Sequence, residues 1–270
     1  MGSLGGNLLI DDLEAVAKVN DLCNRYGLDT IPVGQVIGFA FETWERGLIG
    51  PDDTGGLVLE WGSAHALCVL VEAIGESRGI GAILGQGLKR ARRTLAPDVP
   101  ELDLAVGGME LPSHDPRAFA SIALGYLTSP RGACHLQAYS HGLEAWLAMP
   151  ELGFPEILDR FSPDRKAELT VRMQNLMCLF DSLKMCKFVL YAGIRIRDLL
   201  DWLKAVNGWE LTVSEALRLG EEIFQAKVRF NRREGYPPEE NTLPPRFAAG
   251  PIGRNLAPMR EEYRRLRGWS

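Results

Sequence analysis

No apolar run in this chain approaches the roughly 20 residues that a membrane-crossing helix needs, so the sequence offers no transmembrane segment. Its start, Met1-Gly2-Ser3-Leu4-Gly5-Gly6, lacks the basic residues of a secretory signal and the Ser or Thr of a myristoylation site, and a soluble, cytoplasmic protein is the expectation. Long Lys/Arg runs are missing as well, and a net charge of -5 argues against a nucleic-acid ligand. Cysteine is scarce and widely spaced. Cys23, Cys68, Cys134, Cys178 and Cys186 form neither a close pair nor an even-numbered disulfide framework, so reduced thiols are expected. An iron–sulfur cluster takes about four thiolates, usually with several in a tight C-x-x-C run. The chain has no such run and cannot complete a cluster alone by any ordinary pattern.

What is present is helical punctuation around ample apolar material, with 46% hydrophobic residues, enough for a real core. A helix is expected after the acidic pair Asp11-Asp12, ending at Gly27, whose freedom at positive φ suits a helix C-terminus. Apolar periodicity predicts further helices over 33–45, 64–76, 82–95, 117–126, 164–180, 195–206, 212–229 and 259–269. Gly79-Ile80-Gly81 separates the helix over 64–76 from that over 82–95, and Lys89-Arg90-Ala91-Arg92-Arg93 reads as a solvated helix C-terminus. Asp115-Pro116-Arg117 reads as a helix start, and Thr212-Val213-Ser214-Glu215 as a capping box. Ala96-Pro97-Asp98-Val99-Pro100 breaks the pattern, giving a mainly α chain of two helical domains, 1–98 and 99–270.

The chemistry concentrates in Phe180-Asp181-Ser182-Leu183-Lys184-Met185-Cys186-Lys187-Phe188, where a carboxylate and a thiol stand five residues apart between apolar flanks. Those flanks predict that both are buried. A buried Asp needs donors or a cation, and a buried thiol is either a small hydrophobe or a metal ligand. Asn24-Arg25-Tyr26-Gly27-Leu28-Asp29-Thr30 repeats the spacing, with Asp29 standing where Cys186 stands, although Asp29-Thr30 also suits a plain helix cap before Pro32. His135, at the end of Ser129-Pro130-Arg131-Gly132-Ala133-Cys134-His135, is the candidate proton donor or acceptor. His141 competes with it, His114 reads as structural or exposed, and Cys134 reads as a buried thiol. The sulfurs of Met173, Met177 and Met185 read as core packing.

These segments resemble, in order along nearly the whole chain, the tungsten-containing aldehyde ferredoxin oxidoreductase family. The family carries two Asp-x-x-Gly-Leu motifs, each followed by Asp or Cys, a Ser-x-Arg-Gly segment ending in His, and a C-terminal signature. The last is similar to Lys227-Val228-Arg229-Phe230-Asn231-Arg232-Arg233 followed by Asn241-Thr242-Leu243-Pro244-Pro245-Arg246. The resemblance implies the two helical domains of the family's C-terminal part, a tungsten or molybdenum bis-pterin, and a [4Fe–4S] cluster with three ligands outside this chain. Asp181 and Met185 would face one pterin, Asn24, Leu28 and Asp29 the other; Cys186 would bind iron, and His135 would point at the metal. It further implies aldehyde oxidation to carboxylic acid with ferredoxin as acceptor, and a separate N-terminal polypeptide without which the chain is inactive. Two positions depart from the pattern: Asn24 replaces the family's Asp, and Lys184-Met185 replaces Gly-Leu. A non-catalytic fragment of such an enzyme and a cofactor-free helical interaction module are the competing readings.

Overall fold

A computed structural model describes residues 1–248 and 250–269. The chain forms two compact units, Met1–Ser113 and the residues from His114 onward. The break at Ala96–Pro100 ends a helix but not the first unit, because Leu102 and the chain after it turn back onto the same core as the preceding helices.

In the first unit α1 (Leu13–Tyr26) starts where Asp12 accepts the Ala15 amide at 3.0 Å, and stops at Gly27 with φ +69°. α2 (Thr30–Glu45) follows as the unit's central helix, with Val36, Ile37, Phe39, Ala40 and Phe41 buried on several sides. After the single turn α3 (Pro51–Thr54) come α4 (Ala64–Gly75), α5 (Gly79–Leu84) and α6 (Leu88–Leu95). The helix predicted over 82–95 is therefore two. Gly87, at φ +87°, breaks the run, and the Glu110 carboxylate accepts the Leu88 amide at 2.9 Å, a donor that a continuous helix would have used internally. That carboxylate comes from a two-stranded antiparallel hairpin, β1 (Ala105–Val106) and β2 (Met109–Glu110). Gly81 is required by packing, since a Cβ there would collide with the Ala73 carbonyl of α4.

The second unit is built on α9. Asp115-Pro116-Arg117 forms a turn, not the helix start the sequence suggests. Asp115 accepts both the Arg117 amide at 2.8 Å and the Arg117 guanidinium, and α7 (Ala120–Thr128) begins three residues later. The short α8 (His135–Ala138) precedes α9 (Lys166–Ser182), which buries Leu169, Met173, Leu176, Met177 and Phe180. α10 (Ile196–Asn207) and α11 (Val213–Arg233) come next, the latter opened by the Thr212–Glu215 capping box, with Glu215 N to Thr212 Oγ1 at 3.2 Å. α12 (Pro245–Ala248) and α13 (Gly250–Arg267) complete the unit. Among the described residues no helix is long and apolar enough to cross a membrane.

Arg267 is the main polar tether of α13, which also packs Ile252, Met259 and Tyr263 into the core. The Arg267 guanidinium is fully buried and donates to Tyr263 Oη at 2.9 Å, Asn175 Oδ1 at 2.7 Å and Gln174 Oε1 at 2.8 Å. It also pairs with Glu221 and lies 3.9 Å from the Phe224 ring centroid. Glu221 is partly exposed and stays solvated, so the main loss in Arg267→Ala is the donor to buried Asn175 Oδ1 and Gln174 Oε1, a cost of about 1–3 kcal/mol. Urea unfolding of the variant checks this; a loss within the surface-substitution range would show that α13 does not depend on the guanidinium.

Candidate functional site

The repeated spacing becomes a repeated turn. At the end of α1, Gly27 adopts φ +69° and the Leu28 amide reaches back to the Cys23 carbonyl at 2.8 Å. At the end of α9, Lys184 adopts φ +58° and the Met185 amide reaches back to the Phe180 carbonyl at 2.9 Å. Both are Schellman-type stops. In each, the following residue is extended and caps the next helix: Asp29 at φ −77°, ψ 124° before α2, and Cys186 at φ −67°, ψ 124° before the 3-10 turn Lys187–Leu190. Lys184 thus keeps the turn in the family's glycine position, at the strain an L-residue carries at positive φ.

The surroundings of the two copies differ. In the first, Asn24 and Asp29 are exposed, Leu28 is half-buried, and Asp29 accepts the Ile31 amide at 2.8 Å, the plain cap that its position before α2 suggests. In the second, Asp181 is about one-third exposed and stands between two ammonium groups, Lys187 Nζ at 2.9 Å and Lys227 Nζ at 3.5 Å. Met185 is half-buried. Cys186 is exposed, not buried as its apolar flanks suggest, because the positive-φ turn carries the chain away from the α9 core before the thiol is reached. Among the described residues no three His, Cys, Asp or Glu side chains converge on a metal-sized site.

Lys187 is buried and joins two of the sequence-selected segments. Its Nζ donates to Asp181 and, at 2.8 Å, to the Leu136 carbonyl next to His135. The sequence points to Lys187 only weakly, as a cation between Cys186 and the apolar Phe188-Val189-Leu190; Lys227, one of many charges on α11, carries no such signal.

His135, at the first turn of α8, lies in a cluster of imidazoles. The His114 ring stacks on it with centroids 4.1 Å apart and planes 13° from parallel, and His141 meets His114 edge-on at 4.7 Å. Phe119, Tyr139 and Trp146 pack around His141. Burial, then the neighbouring imidazoles, pushes His135 down to about 3; burial and His114 push His141 down to about 4. The cluster is therefore neutral near pH 7, which makes His135 a weak proton acceptor there and leaves its neutral N–H to donate a hydrogen bond. His114 is half-buried and is the residue that sequence reasoning set aside. Elsewhere in the second unit, Glu144 and Lys166 form a fully buried pair at 3.4 Å, with Ser121 also donating to Glu144. Burial lifts the Glu144 carboxyl to about 7.

Comparison with known proteins places this geometry in context. A family model described as aldehyde ferredoxin oxidoreductase, domains 2 and 3, matches residues 1–270. A tungsten-containing aldehyde ferredoxin oxidoreductase of Pyrococcus furiosus is 35% identical over 99% of this chain and 45% of its own length. From the same organism, the WOR-like subunit of an aliphatic sulfonate oxidoreductase is 27% identical over 97% of this chain and 40% of its own length. The solved active-site complex BamBC of benzoyl coenzyme A reductase, with 1,5-dienoyl-CoA, shares the fold with a TM-score of 0.74 at 18% identity, covering 96% of this chain and 44% of that one. The chain spans less than half the length of these relatives.

The turns predict opposite responses to opposite substitutions. Lys184→Gly should stabilise the chain by about 0.5–1 kcal/mol by relieving positive φ, and Gly27→Ala should destabilise it by about 1 kcal/mol; denaturant midpoints for both variants check this. The buried titratable groups predict a pH dependence. His135 and His141 have lowered folded values, so between about pH 6.5 and pH 4 the unfolded chain binds protons that the folded chain refuses, and stability falls with acid. Glu144 has a raised folded value, so from about pH 7 to pH 4.5 it acts with the opposite sign. His114 is lowered by burial in the same sense, so the three histidines outweigh Glu144 and stability falls as pH drops from 6 to 5. Unfolding free energies across that range measure it, and Glu144→Gln should make the slope steeper.

Proposed function

The chain belongs to the aldehyde ferredoxin oxidoreductase family, and from that premise we propose that it is the C-terminal helical portion of an oxidoreductase converting aldehydes to carboxylic acids. The reaction is aldehyde plus water to carboxylic acid, two protons and two electrons, the electrons leaving to ferredoxin. The relatives are more than twice as long as this stretch, which supports a need for further domains to complete the enzyme, placed in this reading on a separate N-terminal polypeptide. That polypeptide supplies the remaining cluster ligands.

A tungsten or molybdenum bis-pterin and a [4Fe–4S] cluster, when bound, supply the two-electron chemistry and its exit. This chain's own residues fit such groups. The repeated turn is the observation that carries the reading: it ends two helices in the same conformation and presents a polar side chain on either side of each stop. A Cβ on Gly27 would meet nothing within 4 Å, so that turn is open to close approach by a ring. A carboxylate only accepts hydrogen bonds, and the ring N–H and amino groups of a pterin are donors. Asp181, partly exposed and oriented by Lys187 and Lys227, is the acceptor for one pterin, beside Met185. Asn24, Leu28 and Asp29 hold the other; Asn24 contributes a single amide oxygen, and Asp29 retains a carboxylate while capping α2. Cys186, free and exposed, is the iron ligand. His135 is the candidate proton donor or acceptor; neutral near pH 7, it offers its N–H to a substrate oxygen more readily than it takes up a proton.

Co-production of this chain with the N-terminal polypeptide tests the proposal. The joined protein should contain tungsten or molybdenum and cluster iron, and should reduce viologen dye with an aldehyde, while this chain alone should not. A joined protein carrying both metals and failing to oxidise any aldehyde would overturn the reading. Cys186→Ala should lower cluster iron and dye reduction at least about 10-fold while leaving helical content unchanged; a full, reducible cluster in that variant would remove Cys186 from its role.

A further inference from the structure

The stacked imidazoles support one step more. His114 opens the second unit, and its carbonyl is pinned by the Tyr126 hydroxyl at 2.9 Å. Its ring lies flat on His135, 4.1 Å between centroids, while its Nδ1 is buried without a hydrogen-bond partner among the described residues. A histidine anchored through its backbone, with no bond from Nδ1, is held in place chiefly by what its face touches. On the other side of His135 the chain is tied down through the Leu136 carbonyl by Lys187. His135 is thus held by a bond to the backbone of its neighbour Leu136 and by a ring at its face.

We propose that His114 is a positioning residue for His135: the stack sets the plane of the His135 imidazole and allows the two rings one positive charge between them at most. Two cations at that separation, away from water, repel too strongly to coexist. The other groups facing His135 act in the same sense: His141, Lys187 and Arg131 all disfavour a proton on it, and among the described residues no carboxylate pairs with it. The arrangement suits an imidazole that works in its neutral form, and a fixed ring plane aims its N–H and lone pair. This inference rests on the reading of His135 as the proton-transfer residue, but the stack itself is testable without turnover.

The experiment is imidazole NMR of the full chain labelled with ¹⁵N-histidine, comparing wild type, His114→Ala and His114→Phe. In His114→Ala the His135 titration midpoint should rise by about one unit or more toward the ordinary 6.5, and the ring-current shift on its Cε1–H should collapse. In His114→Phe, which keeps a flat ring and no charge, the ring-current shift should persist and the midpoint should stay nearer the wild-type value than in His114→Ala. Unchanged His135 shifts and midpoint in a folded His114→Ala chain would overturn the proposal. So would failure of both variants to fold, which would make His114 a residue of the fold. The catalytic reading fails separately: a cofactor-loaded His135→Asn enzyme with full turnover would remove His135 from catalysis without bearing on the NMR result for the wild-type stack.

Discussion

A helix must satisfy its last carbonyls, and in this chain the way two helices do so decides where the chemistry can sit. At the ends of α1 and α9 a residue at positive φ reverses the chain, and the next amide bonds back to a carbonyl five positions earlier. That bond fixes three things together: it ends the helix, it directs the side chain of Asn24 or Asp181 from the last turn, and it delivers Asp29 or Cys186 in extended conformation at the start of the next element. The polar residues are held by backbone geometry, on rigid elements, with little freedom to drift. Gly27 meets the conformational demand without strain. Lys184 meets it with strain, which persists because α9 is anchored along its buried length and the chain after Cys186 is fixed by Lys187.

The polar interior of the second unit follows from the same economy. Lys187, Lys166 and Arg267 are buried cations, and each is satisfied by a carboxylate and a backbone carbonyl: Asp181 with Leu136, Glu144 with Asp159, Glu221 with Val171. A single buried pair is no guarantee of stability, since desolvation offsets much of the attraction. Their effect here is register. Lys187 ties the turn after α9 to the His135 segment, and Arg267 ties the last helix to Asn175 and Gln174 on α9. Asn231 and Asn241 add to this by donating to the carbonyls of Pro130 and Ser129, so the C-terminal signature clamps the loop that leads to His135. What reads in sequence as an architectural tail is support for the candidate site.

Much of this was legible in the sequence where local rules decide. Asp12 and Thr212 cap helices, Gly27 stops one, and the apolar periodicity of α2 and α9 places their buried residues. Local rules failed where a distant residue intervened. The split between α5 and α6 depends on a carboxylate from Glu110, and the late start of α7 on Arg117 closing a turn with Asp115. The burial inferred for Cys186 failed because flanking apolarity gives the average environment of a segment, whereas one positive-φ residue reorients everything after it. His114 was undervalued for a similar reason. It follows a proline and a serine in a loop, a context suggesting exposure, and its partner His135 is far away in sequence. Stacking between distant rings leaves no periodic trace.

The two copies of the turn share a backbone but differ electrostatically, and the difference has a physical direction. Asp181 has two ammonium groups within 3.5 Å, so donors approaching it meet a carboxylate whose charge is already partly balanced and whose orientation is set. Such an acceptor is pre-organised, and it loses little freedom when a ligand's N–H groups arrive. The first copy offers Asn24, exposed, and Asp29, whose one oxygen is committed to the Ile31 amide. An amide in place of a carboxylate there weakens the attraction for donors, because a neutral acceptor forms weaker hydrogen bonds than a charged one. Under the proposed reading, a pterin would be gripped mainly at the second copy, the one whose turn also carries Cys186. Holding and electron exit would then fall on the same few residues, and the weaker acceptor at Asn24 would matter less.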